Sequence, residues 1–227
     1  MLFVFFPVKV SADAFNSRRL IDLGKAIARI SSKNNCETAS NASSDHAKGL
    51  VKVLLLSIGA RVMLKSNLHT QSGLVNGAMG TVVDIVYGPG CKSPIDIPLS
   101  VMIKFDNYTG SHFRSNTTVI PIPPQTSHWK SSTGISCSRT QIPIVLCWAI
   151  TIHKSQGLTL DKAVVDIGDK ESLGLTFVAL SRTRKLTDLA FSPMFTFERL
   201  QKIKKCMGLK WRMLEEERLK NMSTTIL

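Results

Sequence analysis

The chain has 227 residues, of which 44% are hydrophobic and 20% are charged, so it can bury the core of one medium domain and is not disordered throughout. Its 29 lysines and arginines exceed its 16 aspartates and glutamates by 13. That excess favours a polyanionic partner, nucleic acid before a membrane surface or an acidic protein, unless it only keeps the chain soluble.

The five cysteines are dispersed and include no C-x-x-C pair. This pattern predicts reduced thiols inside a cell and argues against zinc or a disulfide framework. The apolar start, residues 1–8, is too short for a signal peptide or a membrane span, so we expect no membrane association.

The chain begins with the signals of a strand followed by a helix. Residues 2–6 predict a buried strand, and Ser11 is placed to cap a helix that continues to about Leu23, where Gly24 stops it. The polar stretch 31–48, rich in Ser, Asn, Asp and Lys, predicts a surface loop rather than a core element.

The middle of the chain is mostly β in pattern. Short apolar runs separated by turn signals such as Asn76-Gly77 and Gly88-Pro89-Gly90 predict a small antiparallel barrel or sandwich. The runs are residues 51–56, 60–64, 80–87, 101–105 and 118–121.

After a predicted loop at 123–134, alternating elements return, which indicates an α/β arrangement with a parallel sheet. We predict strands at 138–144, 162–167 and 186–191, a helix at 173–181, and a charged C-terminal helix at 197–222 with a break at Gly208. Residues 145–155 fit either a helix or a buried strand.

The segment 148–160, WAITIHKSQGLTL, carries the densest polar chemistry. It places Thr151, His153, Lys154, Ser155 and Gln156 at the end of an apolar element, directly before Gly157. Donor-rich side chains beside a glycine, which lets backbone approach a ligand closely, are typical of phosphate sites. The alternative is that these residues only cap a helix.

A second segment, FVALSRTR at 177–184, places Arg182 and Arg184 at the end of a predicted helix. Arg182 could stabilise charge on a transferring phosphoryl group. Taken alone, the segment favours the simpler interpretation, in which both arginines interact with the helix dipole.

A third segment, 59–83, combines tight glycine turns with donors from Arg61, Lys65 and Asn67. Basic loops on a small β barrel are a common nucleic-acid platform, but the same turns occur in any small barrel. The sequence alone leaves these two interpretations open.

No G-x-x-x-x-G-K-[ST] phosphate loop occurs in the sequence, since Gly24-Lys25 is followed by Ala26 and preceded by Arg19 at the first-glycine position. An acidic magnesium-binding cluster is also missing, and no metal site is predicted. We therefore expect no ATP or Mg²⁺ to be bound by this chain alone.

Taken together, these segments resemble the motifs of a known protein family. WAITIHKSQGLTLDKAVVDIG resembles motif V, and GLTFVALSRTRKLTDL resembles motif VI, of Pif-type superfamily 1B DNA helicases, which are related to RecD. GARVMLKSNLHTQSGLVNGAMGTVVDI is similar to the stretch before and within that family's inserted barrel, and SRTQIPIVLCWA to the return from it. The likeness covers residues 11–203 and includes Asn16, whereas Val8, Lys9 and Val10 stand where relatives usually have a Thr-Asn sequence.

The resemblance implies a fold and a division of the chain. It implies the second RecA-like (P-loop NTPase-type) domain of an α/β helicase, with a parallel sheet interrupted by a small SH3-like β barrel. The expected parts are residues 1–56 and 125–196 for the RecA-like domain, 57–124 for the barrel and 197–227 for a charged helical tail. The first RecA-like domain, with the P-loop lysine and the magnesium-binding acidic pair, is expected to be missing from this chain.

The resemblance also implies site residues. Arg182 would be the arginine finger on the γ-phosphate, and Gln156 with Gly157 would sense the nucleotide. Thr151, His153, Lys154 and Asn67 would contact single-stranded DNA.

The sequence thus favours the C-terminal half of an ATP-dependent 5′-3′ DNA helicase, which would use ATP and Mg²⁺ only together with the first domain. As half of an enzyme it is expected to be inactive alone, monomeric and intracellular, in the nucleus or a mitochondrion. The alternative is a non-enzymatic module that binds single-stranded nucleic acid. A third hypothesis, a partner-docking helix around Trp211, rests on little more than that residue.

Overall fold

The computed structural model describes residues 2–91, 96–110, 118–168, 174–198, 201 and 207–222. Its helices there are α1 (Lys9–Ile21), α2 (Glu37–Asn41), α3 (Leu175–Leu180) and α4 (Met207–Lys220), and 3-10 turns lie at Thr70–Ser72, Ile152–Ser155 and Leu186–Asp188. Its strands are β1 (Leu2–Phe6), β2 (Ala28–Ser31), β3 (Lys33–Asn34), β4 (Val53–Leu56), β5 (Arg61–Leu64), β6 (Met79–Val86), β7 (Ser100–Phe105), β8 (Val119–Ile122), β9 (Gln125–Lys130), β10 (Ser136–Gln141), β11 (Ile144–Leu146), β12 (Ala149–Thr151), β13 (Lys162–Val165) and β14 (Leu189–Phe191).

The chain forms two compact units. The first, here called the sheet unit, contains Met1–Ala14 and Ala149–Leu227, and the second, the β unit, is Phe15–Trp148. The expected divisions at residues 56/57, 124/125 and 196/197 stay predictions.

A parallel sheet organises the sheet unit. Its strand order is β12-β1-β13-β14, and every neighbouring pair is parallel. Phe5, Ala163 and Val165 are fully buried, as expected for parallel strands whose apolar runs are covered on both faces. Helix α3 lies between β13 and β14 in the chain, which is the crossover that parallel neighbours require. The predicted α/β fold with a parallel sheet is confirmed.

Helix α1 follows β1, as predicted, but it begins earlier. Its first turn includes a hydrogen bond from the Ala12 N–H to the Val8 carbonyl oxygen (3.4 Å), so Ser11 lies inside the helix and is not its N-cap. Helix α1 ends at Ile21, and Gly24 follows with a positive φ of 62°, which confirms the predicted stop.

The β unit is built around an antiparallel sheet of strand order β11-β5-β6-β7-β8. All five predicted runs between residues 51 and 121 overlap observed strands, four of them β5–β8 and the first β4. Strand β11 pairs with β5, so this sheet includes residues well beyond 124. An SH3-like closure of the sheet stays a prediction.

The core of the β unit is apolar and continuous. Most of its fully or nearly fully buried residues come from the five-stranded sheet, from β2 and β4, and from the end of α1. They include Leu20, Ile30, Leu56, Val62, Leu64, Val82, Val101, Ile103, Ile122 and Ile144.

Two predicted loops contain regular structure. The stretch 31–48 includes β3 and α2, and its Ala39 and Ala47 are fully buried, so its assignment as a surface loop was wrong. The segment 123–134 contains β9, which pairs antiparallel with β10 along its whole length. Both were missed because the pairing is made by backbone atoms of a polar sequence, which has no apolar periodicity to reveal it.

A buried arginine explains how the polar stretch is held. Arg139 on β10 is 1% exposed and donates to the Asn34 Oδ1 atom (3.0 Å) and to the carbonyl oxygens of Leu50 (3.1 Å), Ala39 (2.6 Å) and Ala42 (2.9 Å). Burial lowers the pKa of Arg139. We call Arg139 with these four partners the Arg139 cage, and it connects β3, α2 and the chain before β4 to β10.

The C-terminal helix is only partly described. Helix α4 includes Gly208 as its second residue, and residues 199–200 and 202–206 of the predicted helix lie outside the described part, so the break near Gly208 stays a prediction. Trp211 is 67% exposed. No helix among the described residues is long and apolar enough to cross a membrane.

Candidate nucleotide and nucleic-acid site

The carboxyl end of β12 leads directly into the polar segment. After Thr151 the chain forms the 3-10 turn Ile152–Ser155, so residues 145–155 are the end of β11, strand β12 and this turn, and no α-helix occurs there. Thr151 makes no side-chain cap hydrogen bond, which argues against the helix-capping interpretation. Ligands of open parallel α/β sheets bind outside the carboxyl ends of the strands, and this segment lies at that edge.

The turn separates buried from exposed residues. In a 3-10 turn, residues three apart share a side, and Ile152 and Ser155 are buried while His153 and Lys154 are exposed. The buried Ser155 hydroxyl donates to the Ile152 carbonyl oxygen (2.6 Å), which fixes the turn from within. His153 and Lys154 are thereby presented to solvent at the end of the sheet, where a phosphate backbone could be contacted.

Gln156 and Gly157 complete this segment, and we call residues 151–157 the polar turn. Gly157 has a φ of +84°, and a Cβ atom placed there would meet no described atom within 4 Å. The backbone conformation rather than space therefore requires glycine. Gln156 is exposed, with its N–H donating to the His153 carbonyl oxygen at 3.4 Å.

Arg182 lies just after α3 and is half-buried. Its Nε donates to the Val178 carbonyl oxygen (2.9 Å), and one terminal nitrogen donates to the Ser181 hydroxyl (2.8 Å). The other terminal nitrogen donates to the Leu158 carbonyl oxygen (3.3 Å), directly after Gly157. Arg182 therefore contacts the end of its own helix, as expected if it interacts with the helix dipole. It also contacts Leu158, the residue that follows the polar turn.

Backbone contacts join the same two segments. The Leu160 N–H donates to the Arg182 carbonyl oxygen (2.9 Å), and Leu160 and Thr183 form an isolated parallel bridge. The structure thus brings Gln156, Gly157 and Arg182 into one connected substructure, whereas Arg184 is exposed and joins this substructure by none of these bonds.

The positioning roles of two serines were not predicted from the sequence, although Ser155 was named among the polar residues of its segment. Ser155 fixes the polar turn, and Ser181 accepts a hydrogen bond from Arg182 while donating to the Val178 carbonyl oxygen (3.1 Å). The sequence did contain a signal for these roles, because each serine stands directly beside a candidate site residue. Short hydroxyl side chains often form hydrogen bonds with the nearby backbone.

Asn67 belongs to the β unit, in the connection between β5 and β6. It is exposed, and its Oδ1 atom accepts a hydrogen bond from the Asn76 N–H (2.8 Å). This bond joins the beginning and the end of the connection between β5 and β6. Its side-chain amide nitrogen is the group with which it could donate to a nucleic acid.

Arg61, another donor of the segment 59–83 whose role the sequence left open, is the first residue of β5. It is 8% exposed and forms a bidentate pair with Asp106 (2.8 and 2.5 Å) and a hydrogen bond to the Thr81 hydroxyl (2.9 Å). Burial lowers the pKa of Arg61, but the hydrogen bonds and charge of Asp106 outweigh burial, and the pKa is raised. Both terminal nitrogens of Arg61 are used within the β unit, so of the two interpretations left open by the sequence, the structural one fits this residue.

The described residues contain no group of three or more His, Cys, Asp or Glu that could hold a metal ion. The donor set of the site is instead cationic and amide in character: Lys154, Arg182 and Gln156. Such a set suits the oxygens of phosphates rather than a divalent metal.

These features define a class of protein: an α/β domain with a parallel sheet, in which the segment after β12 and the end of α3 form a candidate polar and cationic site. Residues 44–85 match the family model described as DNA helicase Pif1, 2B domain. The human ATP-dependent DNA helicase PIF1 is 35% identical over 185 residues, covering 79% of this chain and 26% of the relative. The ATP-dependent DNA helicase Pif1 of Bdellovibrio bacteriovorus is 31% identical over 189 residues, covering 81% of this chain and 37% of the relative.

Solved structures agree in fold. The Pif1 helicase of Candida albicans superposes with a TM-score of 0.67 at 24% identity, covering 89% of this chain and 48% of that one. The Bacteroides Pif1 helicase in complex with ADP-AlF3 and ssDNA superposes with a TM-score of 0.61 at 25% identity, covering 86% of this chain and 41% of that one.

The chain is similar to a region of Pif1-type DNA helicases. It spans 18 to 26% of the length of the first three vertebrate relatives compared, from zebrafish, human and Xenopus.

Proposed function

We propose that this chain supplies the second RecA-like half of an ATP-dependent 5′-3′ DNA helicase. The observation that supports the proposal most is the hydrogen bond from Arg182 to the Leu158 carbonyl oxygen. It couples the candidate nucleotide group to the backbone directly after the polar turn, so a shift of either one acts on the other. Helicase chemistry requires that kind of coupling, because ATP binding and strand binding must affect each other.

On the nucleotide side, Arg182 acts as the arginine finger. A guanidinium has five N–H donors, and three of those of Arg182 are used within the chain, so the group can be held in place while it also faces a phosphate. Gln156 and the exposed backbone at Gly157 contact the nucleotide beside it. When bound, ATP with Mg²⁺ supplies the phosphoryl group whose transfer to water releases free energy, and the ligands of Mg²⁺ come from the first RecA-like domain.

On the strand side, the side chains of Thr151, His153 and Lys154 contact the phosphates of single-stranded DNA, and Asn67 adds a contact from the β unit. The exposure of His153 and Lys154 supports this role. Such contacts are electrostatic and independent of base sequence, as a strand-tracking enzyme requires. The chain acts as a monomer and, because DNA is its partner, in the nucleus or a mitochondrion.

The enzyme proposal is tested by complementation. The pure chain with ATP, Mg²⁺ and oligo(dT) is expected to show no hydrolysis, because the P-loop half of the catalytic groups is missing. Addition of a separately expressed first RecA-like domain of a Pif1 relative is expected to restore DNA-stimulated hydrolysis. Arg182→Ala should then lower that rate by about 1,000-fold, with Arg184→Ala as the control that leaves it nearly unchanged. Hydrolysis by the pure chain would contradict the proposal.

The second candidate is a non-enzymatic module that binds single-stranded nucleic acid. The net charge of +13 and the exposed His153 and Lys154 favour it independently of any nucleotide. It predicts that oligo(dT) affinity, measured by fluorescence anisotropy, is the same with and without ATP and the first domain. If adding ATP and the first domain together changes the oligo(dT) affinity several-fold, and Arg182→Ala abolishes this change, the helicase proposal is favoured over the binding module.

A further inference from the structure

We propose that Cys36 and Cys137 form an intramolecular oxidation site, in which a peroxide converts the two thiols to a disulfide. The inference is independent of the helicase function, because both residues lie in the β unit and outside the polar turn.

The strand register places the two cysteines opposite each other. In the pairing of β3 with β10, Lys33 lies opposite Thr140 and Asn34 opposite Arg139. Continued by two residues, this register sets Cys36 opposite Cys137. Cys36 still has extended backbone, with φ −152° and ψ 168°, so the alignment persists to that residue.

Asn35 fixes the chain on both sides of the pair. Its backbone N–H donates to the Ser138 carbonyl oxygen (3.3 Å), and its side-chain amide donates to the Ser136 carbonyl oxygen (2.9 Å). Its Oδ1 atom accepts from the Ser138 N–H (2.7 Å). Cys137 therefore lies between two residues that are both bonded to the immediate neighbour of Cys36.

The two sulfur atoms are already in contact. The Sγ–Sγ distance is 3.9 Å across a sequence separation of 101 residues. The S–S bond of a disulfide is about 2.0 Å long, so the two sulfur atoms must approach each other by about 1.9 Å. Rotation of the side chains can supply this approach, because the paired strands hold the two Cα atoms close.

The environments of the thiols set the order of the reaction. Cys36 is half-buried and can be reached by a small oxidant, whereas Cys137 is fully buried. Burial raises the pKa of Cys137, and the contact with Cys36 adds to this rise, so Cys137 is the poorer first nucleophile.

The chemistry balances with hydrogen peroxide as the oxidant. The Cys36 thiolate attacks one peroxide oxygen and the O–O bond breaks, giving a sulfenic acid and, with one proton, water. The Cys137 sulfur then attacks the Cys36 sulfur, and the hydroxyl group leaves as a second water with the Cys137 proton. Overall, two thiols and one peroxide give one disulfide and two waters, each sulfur losing one electron.

The test is peroxide oxidation of the reduced full chain at low micromolar protein, followed by non-reducing digestion and mass spectrometry. We expect a linked Cys36–Cys137 peptide in a monomeric product, formed in wild type and in Cys91→Ser but absent in Cys36→Ser. Cys91 is the matched control because it is also a half-buried thiol, whereas burial raises the pKa of Cys147 to about 12 and keeps it unreactive.

Stability gives a second readout that needs no buried substitution. A disulfide closing a loop of about 100 residues restricts the unfolded chain, so oxidation should raise the Tm of wild type by about 5 °C or more and leave that of Cys36→Ser unchanged. The proposal is overturned if Cys36 stops at sulfenic or higher acids without a link to Cys137. It is equally overturned if Cys36 links to another cysteine, or stays reduced while Cys91 is oxidised.

Discussion

The Arg139 cage in the β unit and the polar turn with Arg182 in the sheet unit use the same guanidinium chemistry under different conditions. Arg139 is 1% exposed and its donors are directed to fixed oxygen atoms of its own chain. Arg182 is half-buried, and His153, Lys154 and Gln156 of the polar turn are exposed. Full burial with internal partners stabilises the fold, while partial exposure leaves donors for a ligand. Substitutions should therefore affect stability in one region and binding in the other.

The largest expected effect follows from removing the centre of the cage. Arg139→Met keeps the apolar stem but leaves the carbonyl groups of Ala39, Ala42 and Leu50 without their donor in a buried site. We expect the free energy of unfolding, from urea denaturation followed by circular dichroism, to fall by about 3–5 kcal/mol. The control Arg184→Met, at an exposed position, should change it by less than about 0.5 kcal/mol. A loss below about 1 kcal/mol for Arg139→Met would remove the contrast between the regions.

A smaller effect is expected at Arg61, whose partner is only partly buried. Asp106→Asn leaves the Arg61 charge without its counterion, but the Asp106 side chain is 45% exposed and water can replace part of the interaction. We expect the same urea experiment to show a loss of about 1–2 kcal/mol. Asp84→Asn, on the exposed part of β6, is the matched control and should be nearly neutral. Equal losses for the two variants would show that the Arg61 pair contributes nothing specific.

The comparison also explains what could be predicted from the sequence. The polar turn was identified because its residue types follow an apolar strand within a few positions, and such local patterns are visible in a sequence. The Arg139 cage was missed because its acceptors lie about 90 to 105 residues away and are mostly backbone oxygens. The amino-acid sequence does not show where backbone carbonyl groups will lie in the fold. For this reason the regular structure of residues 31–48 could not be predicted either.

The state of residues 145–155 shows a second limit. The run Val145 to Ile150 is apolar enough for a helix or a strand, and it becomes two short strands in different sheets, β11 in the β unit and β12 in the sheet unit. Only the pairing with β5 and β1, far away in the chain, decides this. The role of Arg61 was left open for the same reason, because its partner Asp106 is 45 residues away.

Gly157 tests whether the shape of the polar turn matters separately from its charge. Gly157→Ala introduces a side chain at φ +84° without a steric clash, so it should cost about 1 kcal/mol of stability through backbone strain alone. Gly134→Ala is a matched control in the β unit, with φ +79° and equally open space. Both variants should lose similar stability in urea, while only Gly157→Ala weakens oligo(dT) binding several-fold in fluorescence anisotropy. Equal affinities in the two variants would show that the turn's conformation plays no part in binding.

The smallest effect on stability, and the most specific on binding, is expected for Lys154. Its side chain is exposed, so Lys154→Ala should change the free energy of unfolding by less than about 0.5 kcal/mol. A lysine on a phosphate releases counterions when it binds, so its loss should reduce the slope of log affinity for oligo(dT) against log salt concentration by about 0.7. Lys220→Ala, which removes the same charge from the exposed end of α4, should leave the slope unchanged. If both variants reduce the slope equally, the chain binds nucleic acid through its overall charge, and the carboxyl edge of the parallel sheet has no special role in holding the strand.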